Sequence, residues 1–195
     1  MLPEASSNFY QAGYEYPWSF LLASVVFLFL LGLEHFNSLL RRNSQSSAKS
    51  IALLTAIMLC IHSFLEGAAV GVAVDLTTTG IIFVAIITHK GAASFALAVQ
   101  LNRSELSLIN SSFVFLLFVL MTPLGIFSGY SVLSQATNTA LLVPIFNSLA
   151  AGTFLYLGTL HGLERAPLIK NCCNLREFGF MVLGFIIMAV VGIWL

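Results

Sequence analysis

Apolar residues fall along this chain in long blocks separated by short polar interruptions. Six blocks, approximately 17–36, 51–73, 80–100, 108–130, 140–163 and 177–195, each approach the roughly 20 residues a helix needs to cross a bilayer. In hydrocarbon every backbone N–H and C=O must be satisfied within the segment, so each block is predicted to be a helix. The expected fold is all-α, a polytopic transmembrane helix bundle in one domain over 17–195. A polar, acidic segment at 1–16 precedes it and is expected outside the cell. Pro17 and Trp18 open the first span with a helix-starting proline and an interfacial indole. Gly67 and Gly71 give the second span a GxxxG pair for close helix approach, and Ala150, Ala151 and Gly152 suit the fifth to the same use. Pro123 is expected to kink the fourth span, and Asn147 and Ser148 to bond across helices.

Composition agrees with this reading. The chain is 58% hydrophobic and 8% charged, against roughly 25% charged for a soluble domain. The bilayer is therefore the expected partner. No basic patch with interleaved aromatics is present, so nucleic acid is not expected. Residues 1–16 lack Lys and Arg, which does not fit a cleavable signal sequence. Three cysteines make no disulfide framework; Cys60 reads as a small core residue.

Charge placement tests the helix count. Six alternating crossings put Arg41, Arg42, Lys49, Arg103, Arg165, Lys170 and Arg176 on one side, and Glu4, Glu15 and Asp75 on the other. The positive-inside rule makes the basic side cytoplasmic and both termini extracellular. Cys172 and Cys173 then face the reducing side as thiols. The eighth basic residue, Lys90, falls in the middle of a span.

The candidate chemistry lies at mid-membrane. His62 and Glu66, four residues apart, share one helix face, and His89 with Lys90 occupies the next span. Ionisable groups at that depth cost several kcal/mol apiece unless compensated, which makes them functional candidates. Two imidazoles and a carboxylate suit zinc and are acceptable to iron or manganese. His62, Glu66 and His89 are the candidate metal ligands, with Ser63 beside them. The plainer alternative is a structural network in which His62 bonds Glu66 and Lys90 pairs with Glu66. Glu34, His35, His161 and Glu164 cluster at the cytoplasmic ends of spans one and five, where they form a candidate exit path or are simply solvated. An intramembrane metallohydrolase is disfavoured because no His-Glu-x-x-His pattern is present.

The run from His62 through Glu66 to Gly67 and Gly71 resembles the fourth-helix motif of the Zrt/Irt-like (ZIP) metal-ion transporters. His89-Lys90-Gly91 resembles the fifth-helix motif of their zinc-importing plasma-membrane branch. Met121–Ile126 and Ala150–Tyr156 are similar to its sixth and seventh helices, and Tyr16 to Glu34 to its third. The resemblance covers the chain from residue 16 onward. It implies that the six helices correspond to helices three to eight of an eight-helix fold, with the first two absent. It also implies zinc import toward the cytoplasm by an elevator-like motion, with zinc as cargo and no resident cofactor. His62, Glu66 and His89 become the transport-site ligands. Lys90 and Thr122 stand where relatives place acids for a second metal, implying a single-metal site. The sequence departs from the family at Ala93, where many relatives have a fourth ligand, and at His161, where Glu is usual. A histidine-rich cytoplasmic loop is missing as well. The expected function is divalent cation transport, zinc first, at the plasma membrane. The alternative is a truncated, non-transporting subunit that assembles with or regulates full-length ZIP transporters. A homodimer is the other assembly considered.

Overall fold

The computed structural model describes residues 2–41, 47–136, 139–161, 179, 182–184 and 186. They are helical and contain no strand. Six α-helices follow in order: α1 Leu2–Gln11, α2 Trp18–Arg41, α3 Ser47–Gly71, α4 Leu76–Arg103, α5 Leu108–Gln135 and α6 Leu142–Tyr156. Residues up to Tyr156 make one compact unit. From Leu157 a second unit begins, with a π-helical turn Leu157–His161 and helical residues at 179, 182–184 and 186. Most of the sixth expected span lies outside the described residues.

Among the described residues, five helices are long and apolar enough to cross a membrane. Their large exposed side chains, such as Phe20, Phe29, Phe83, Phe113 and Phe127, are what a lipid-facing surface requires. Helices α2 and α3 run further into the 37–50 linker than the apolar pattern suggested, reaching Arg41 and starting at Ser47. Helix α5 continues through Pro123 without a break in assignment.

The N-terminal segment, given no element from sequence, folds as α1. Its buried face is short, Ala5 and Phe9, and packs on α6 and α2. The helix ends in a Schellman motif. Gly13 takes a φ of 88°, Tyr14 N–H bonds the Phe9 carbonyl at 3.0 Å, and Gly13 N–H bonds the Tyr10 carbonyl at 3.0 Å. The accompanying apolar contact is the Tyr14 ring set edge-on to Phe9.

Helix α3 is the centre of the bundle: 56% of its apolar window is buried, against 17% for α2, α4 and α5. Glycine explains its grip on α5. A Cβ placed on Gly67 would lie 2.3 Å from the Thr122 carbonyl oxygen, and one on Gly71 would lie 2.2 Å from that of Ile126. The facing glycines complete the contact, since Gly125 and Gly129 would meet the carbonyls of Phe64 and Ala68 at 2.2 and 2.4 Å. Both helices thus carry a GxxxG pair, and the backbones pack in parallel without intervening side chains. Gly152 does the same for α6 against α2, where an added Cβ would lie 2.3 Å from the Ala23 carbonyl. Helix α4 enters through Asp75, whose two carboxylate oxygens accept the Thr77 and Thr78 amides at 2.9 and 2.8 Å.

Gly67→Ala or Gly125→Ala is expected to destabilise the bundle by about 1–3 kcal/mol through overpacking. Gly80→Ala, with nothing within 4 Å, is expected to be tolerated. Thermal unfolding in detergent compares the three. The Asp75 carboxyl is lowered to about 2 by the hydrogen bond of the Thr78 side chain, then by the Thr78 and Thr77 amides. Its folded value is below its ordinary 3.8, so the cap is fully effective above about pH 4. It is lost as pH falls through about 2. Amide exchange at Thr77 and Thr78, referenced to intrinsic rates, is expected to lose protection in that window and in Asp75→Ala at all pH values.

Candidate metal centre

Helix α3 brings His62 and Glu66 to one face, and the tight turn at Asp75 folds α4 back so that His89 and Lys90 reach them. The imidazole Nε2 atoms of His62 and His89 lie 3.1 and 2.5 Å from the same oxygen, Oε1 of Glu66. The three donor atoms all fall within 4.8 Å of one another, close enough to share one ion. Glu66 is 1% exposed and His62 4%. The Phe154 ring closes one side, with its centroid 5.7 Å from that of His62 and 5.6 Å from that of His89.

The hydrogen bonds show what this cluster lacks. The Thr153 hydroxyl donates to the Ala150 carbonyl at 2.6 Å, so toward His62 Nδ1, also at 2.6 Å, it acts as acceptor. With the proton on Nδ1 to match that acceptor, a neutral His62 would turn its Nε2 lone pair toward a carboxylate oxygen. Lone pair faces lone pair there unless positive charge sits between them. The other carboxylate oxygen, Oε2, is buried with no hydrogen-bond partner among the described residues. A buried carboxylate left half satisfied is costly, so the arrangement is suited to a cation.

Lys90 does not supply that charge by direct contact. Of the structural alternative, the His62–Glu66 contact is present, while Lys90 bonds two hydroxyls and not Glu66. The ammonium donates to Ser63 Oγ at 2.6 Å and Thr122 Oγ1 at 2.7 Å, and lies 4.5 Å from the centre of the Phe118 ring. Two hydroxyls and an aromatic face hold it beside the His/Glu/His cluster. Ser63 and Thr122 are thus engaged with Lys90.

Glu34 accepts a hydrogen bond from the hydroxyl of the fully buried Tyr156, and His35 is exposed on α2. The His161 side chain and Glu164 lie outside the described residues. Ser148 corrects the expectation of cross-helix bonding: its hydroxyl returns to the Pro144 carbonyl in its own helix at 2.6 Å. The Asn147 side-chain oxygen is buried without a partner. Sequence reading missed Thr153, Phe154 and Tyr156. Thr153 follows the small-residue run Ala150–Gly152 that marks the packed face of α6, and a hydroxyl there was the available signal.

The family described as "ZIP Zinc transporter" matches residues 40–192. Mouse zinc transporter ZIP2 is 34% identical over 140 residues, covering 68% of this chain and 45% of that protein. Human zinc transporter ZIP2 is 32% identical over 159 residues, covering 77% and 49%. Zinc transporter ZIP1 of Takifugu rubripes is 35% identical over 137 residues, covering 70% and 45%. The chain spans about half the length of these curated relatives. No solved structure matches it. With its helical, multi-pass architecture and a match over most of its length, this chain belongs to the ZIP family of membrane proteins.

Proposed function

We propose that the protein moves divalent metal cations across a membrane, zinc foremost, through the site formed by His62, Glu66 and His89. The observation that carries this reading is the convergence of two imidazole nitrogens on one oxygen of a buried carboxylate whose other oxygen has no partner. Nitrogen and oxygen donors of this kind suit zinc, with iron or manganese as further candidates. Relatives named as zinc transporters support the same choice. The Lys90 ammonium stands beside the three donors, where a second cation would be repelled, so one ion is held at a time.

Import runs from the face carrying Glu4, Glu15 and Asp75 toward the face carrying Arg41, Arg42, Lys49 and Arg103, which the positive-inside rule makes cytoplasmic. Glu34, which accepts a hydrogen bond from Tyr156, is a proposed exit group, with His35, His161 and Glu164 as further candidates. The plasma membrane is the proposed location.

His62→Ala and His89→Ala are expected to abolish radiolabelled zinc uptake by the purified chain in liposomes while membrane insertion persists. Unchanged uptake in both rejects the site. A wild-type chain that passes no metal alone, yet changes uptake when reconstituted with a longer relative, marks a regulatory subunit instead. Glu66→Gln keeps the side-chain volume and removes the charge. It is expected to weaken zinc binding more than tenfold, measured by competition with a chromogenic chelator, with the helical signal unchanged.

A further inference from the structure

We infer that Thr153 is a positioning residue for the metal site, fixing His62 in the tautomer that presents Nε2 to the ion. The inference rests on the proposed site and adds a residue from a third helix, α6, to a cluster whose ligands come from α3 and α4.

A threonine hydroxyl has one proton. Here it is spent on the Ala150 carbonyl, 2.6 Å away and three residues back on the same helix. What the hydroxyl offers His62 is a lone pair, at 2.6 Å from Nδ1. The imidazole must put its proton on Nδ1 to use it, which leaves Nε2 as the donor atom toward Glu66 Oε1, 3.1 Å away. The opposite tautomer would place a lone pair against the hydroxyl lone pair and an N–H where the ion binds. Thr153 is fully buried and His62 nearly so, so water is not at hand to substitute for the bond. Metal-bound histidines are commonly held this way, the distal N–H bonded to an acceptor that sets the ring's orientation and raises its basicity.

Neighbouring packing keeps the hydroxyl in place. Gly152, the preceding residue, lies in backbone contact with Ala23 of α2, which fixes the height of α6. Phe154, the following residue, rests against both imidazoles. Three consecutive residues thus lock the helix, hold the ring's proton and wall the site.

Thr153→Val keeps the shape and removes the acceptor, whereas Thr153→Ser keeps the hydroxyl. Zinc affinity of the purified full chain is measured by chelator competition, and the His62 tautomer by nitrogen-15 NMR of the metal-free protein, with His62→Ala supplying the assignment. The expected result is a loss of about 10–100-fold in zinc affinity for Thr153→Val, with Thr153→Ser near wild type. The Nδ1–H form is expected to dominate in wild type and Thr153→Ser, and to lose its dominance in Thr153→Val. Zinc affinity unchanged in Thr153→Val, an unchanged tautomer, or Thr153→Ser as weak as Thr153→Val each overturns the role of Thr153 and leaves the metal site standing. A wild-type chain that binds zinc no better than His62→Ala overturns the site and the role together.

Discussion

A carboxylate cannot sit in the dry interior of a helix bundle on its own. Taking the charge of Glu66 out of water costs far more than one hydrogen bond returns, and the protein surrounds it with two imidazoles whose nitrogens meet the same oxygen. One oxygen is therefore crowded by two imidazole nitrogens, while the other has no partner among the described residues. Such asymmetry leaves a buried carboxylate oxygen unsatisfied, which is the feature on which the proposed cation site rests. The rest of the bundle positions these three side chains and holds the Lys90 ammonium beside them.

Delivery depends on two helix pairs that pack at backbone distance. The α3–α5 pair is joined by facing GxxxG motifs, and α2–α6 by Gly152 against Ala23. The first pair contributes His62 and Glu66 from α3, and it places Thr122 of α5 beside Ser63 so that the two hydroxyls share the Lys90 ammonium. The second pair contributes Thr153 and Phe154. His62 stands where the two pairs meet, its Nε2 3.1 Å from Glu66 on its own helix and its Nδ1 bonded to Thr153 across the gap. A small relative shift of the pairs would break the bond to Thr153 and leave the spacing of His62 and Glu66 within α3 intact, which ties the geometry of the site to the position of α6.

Much of this was legible in the sequence because bilayer physics is strict. Blocks of about 20 apolar residues have few structural options. Mid-span His62, Glu66 and His89 advertised themselves by their cost, and Gly67 and Gly71 by their spacing. The parts that escaped depend on tertiary partners. Gly125 and Gly129 carry no signal of which helix they face. Thr153 carries no signal of its own in the sequence, and its place opposite His62 is what gives its hydroxyl a partner. Lys90 could be placed at the right depth but not given a partner, since Glu66 and the Ser63–Thr122 hydroxyl pair compete for it. The short α1 helix has only two buried side chains, too weak a pattern to read without α2 and α6 to cover them.

Zinc K-edge X-ray absorption on the purified, zinc-loaded chain addresses the central claim directly. Nitrogen and oxygen donors at about 2.0–2.1 Å are predicted, with outer-shell scattering from two imidazoles that falls to one in His89→Ala. A shell of sulfur at about 2.3 Å, or a spectrum without imidazole scattering, would contradict the account.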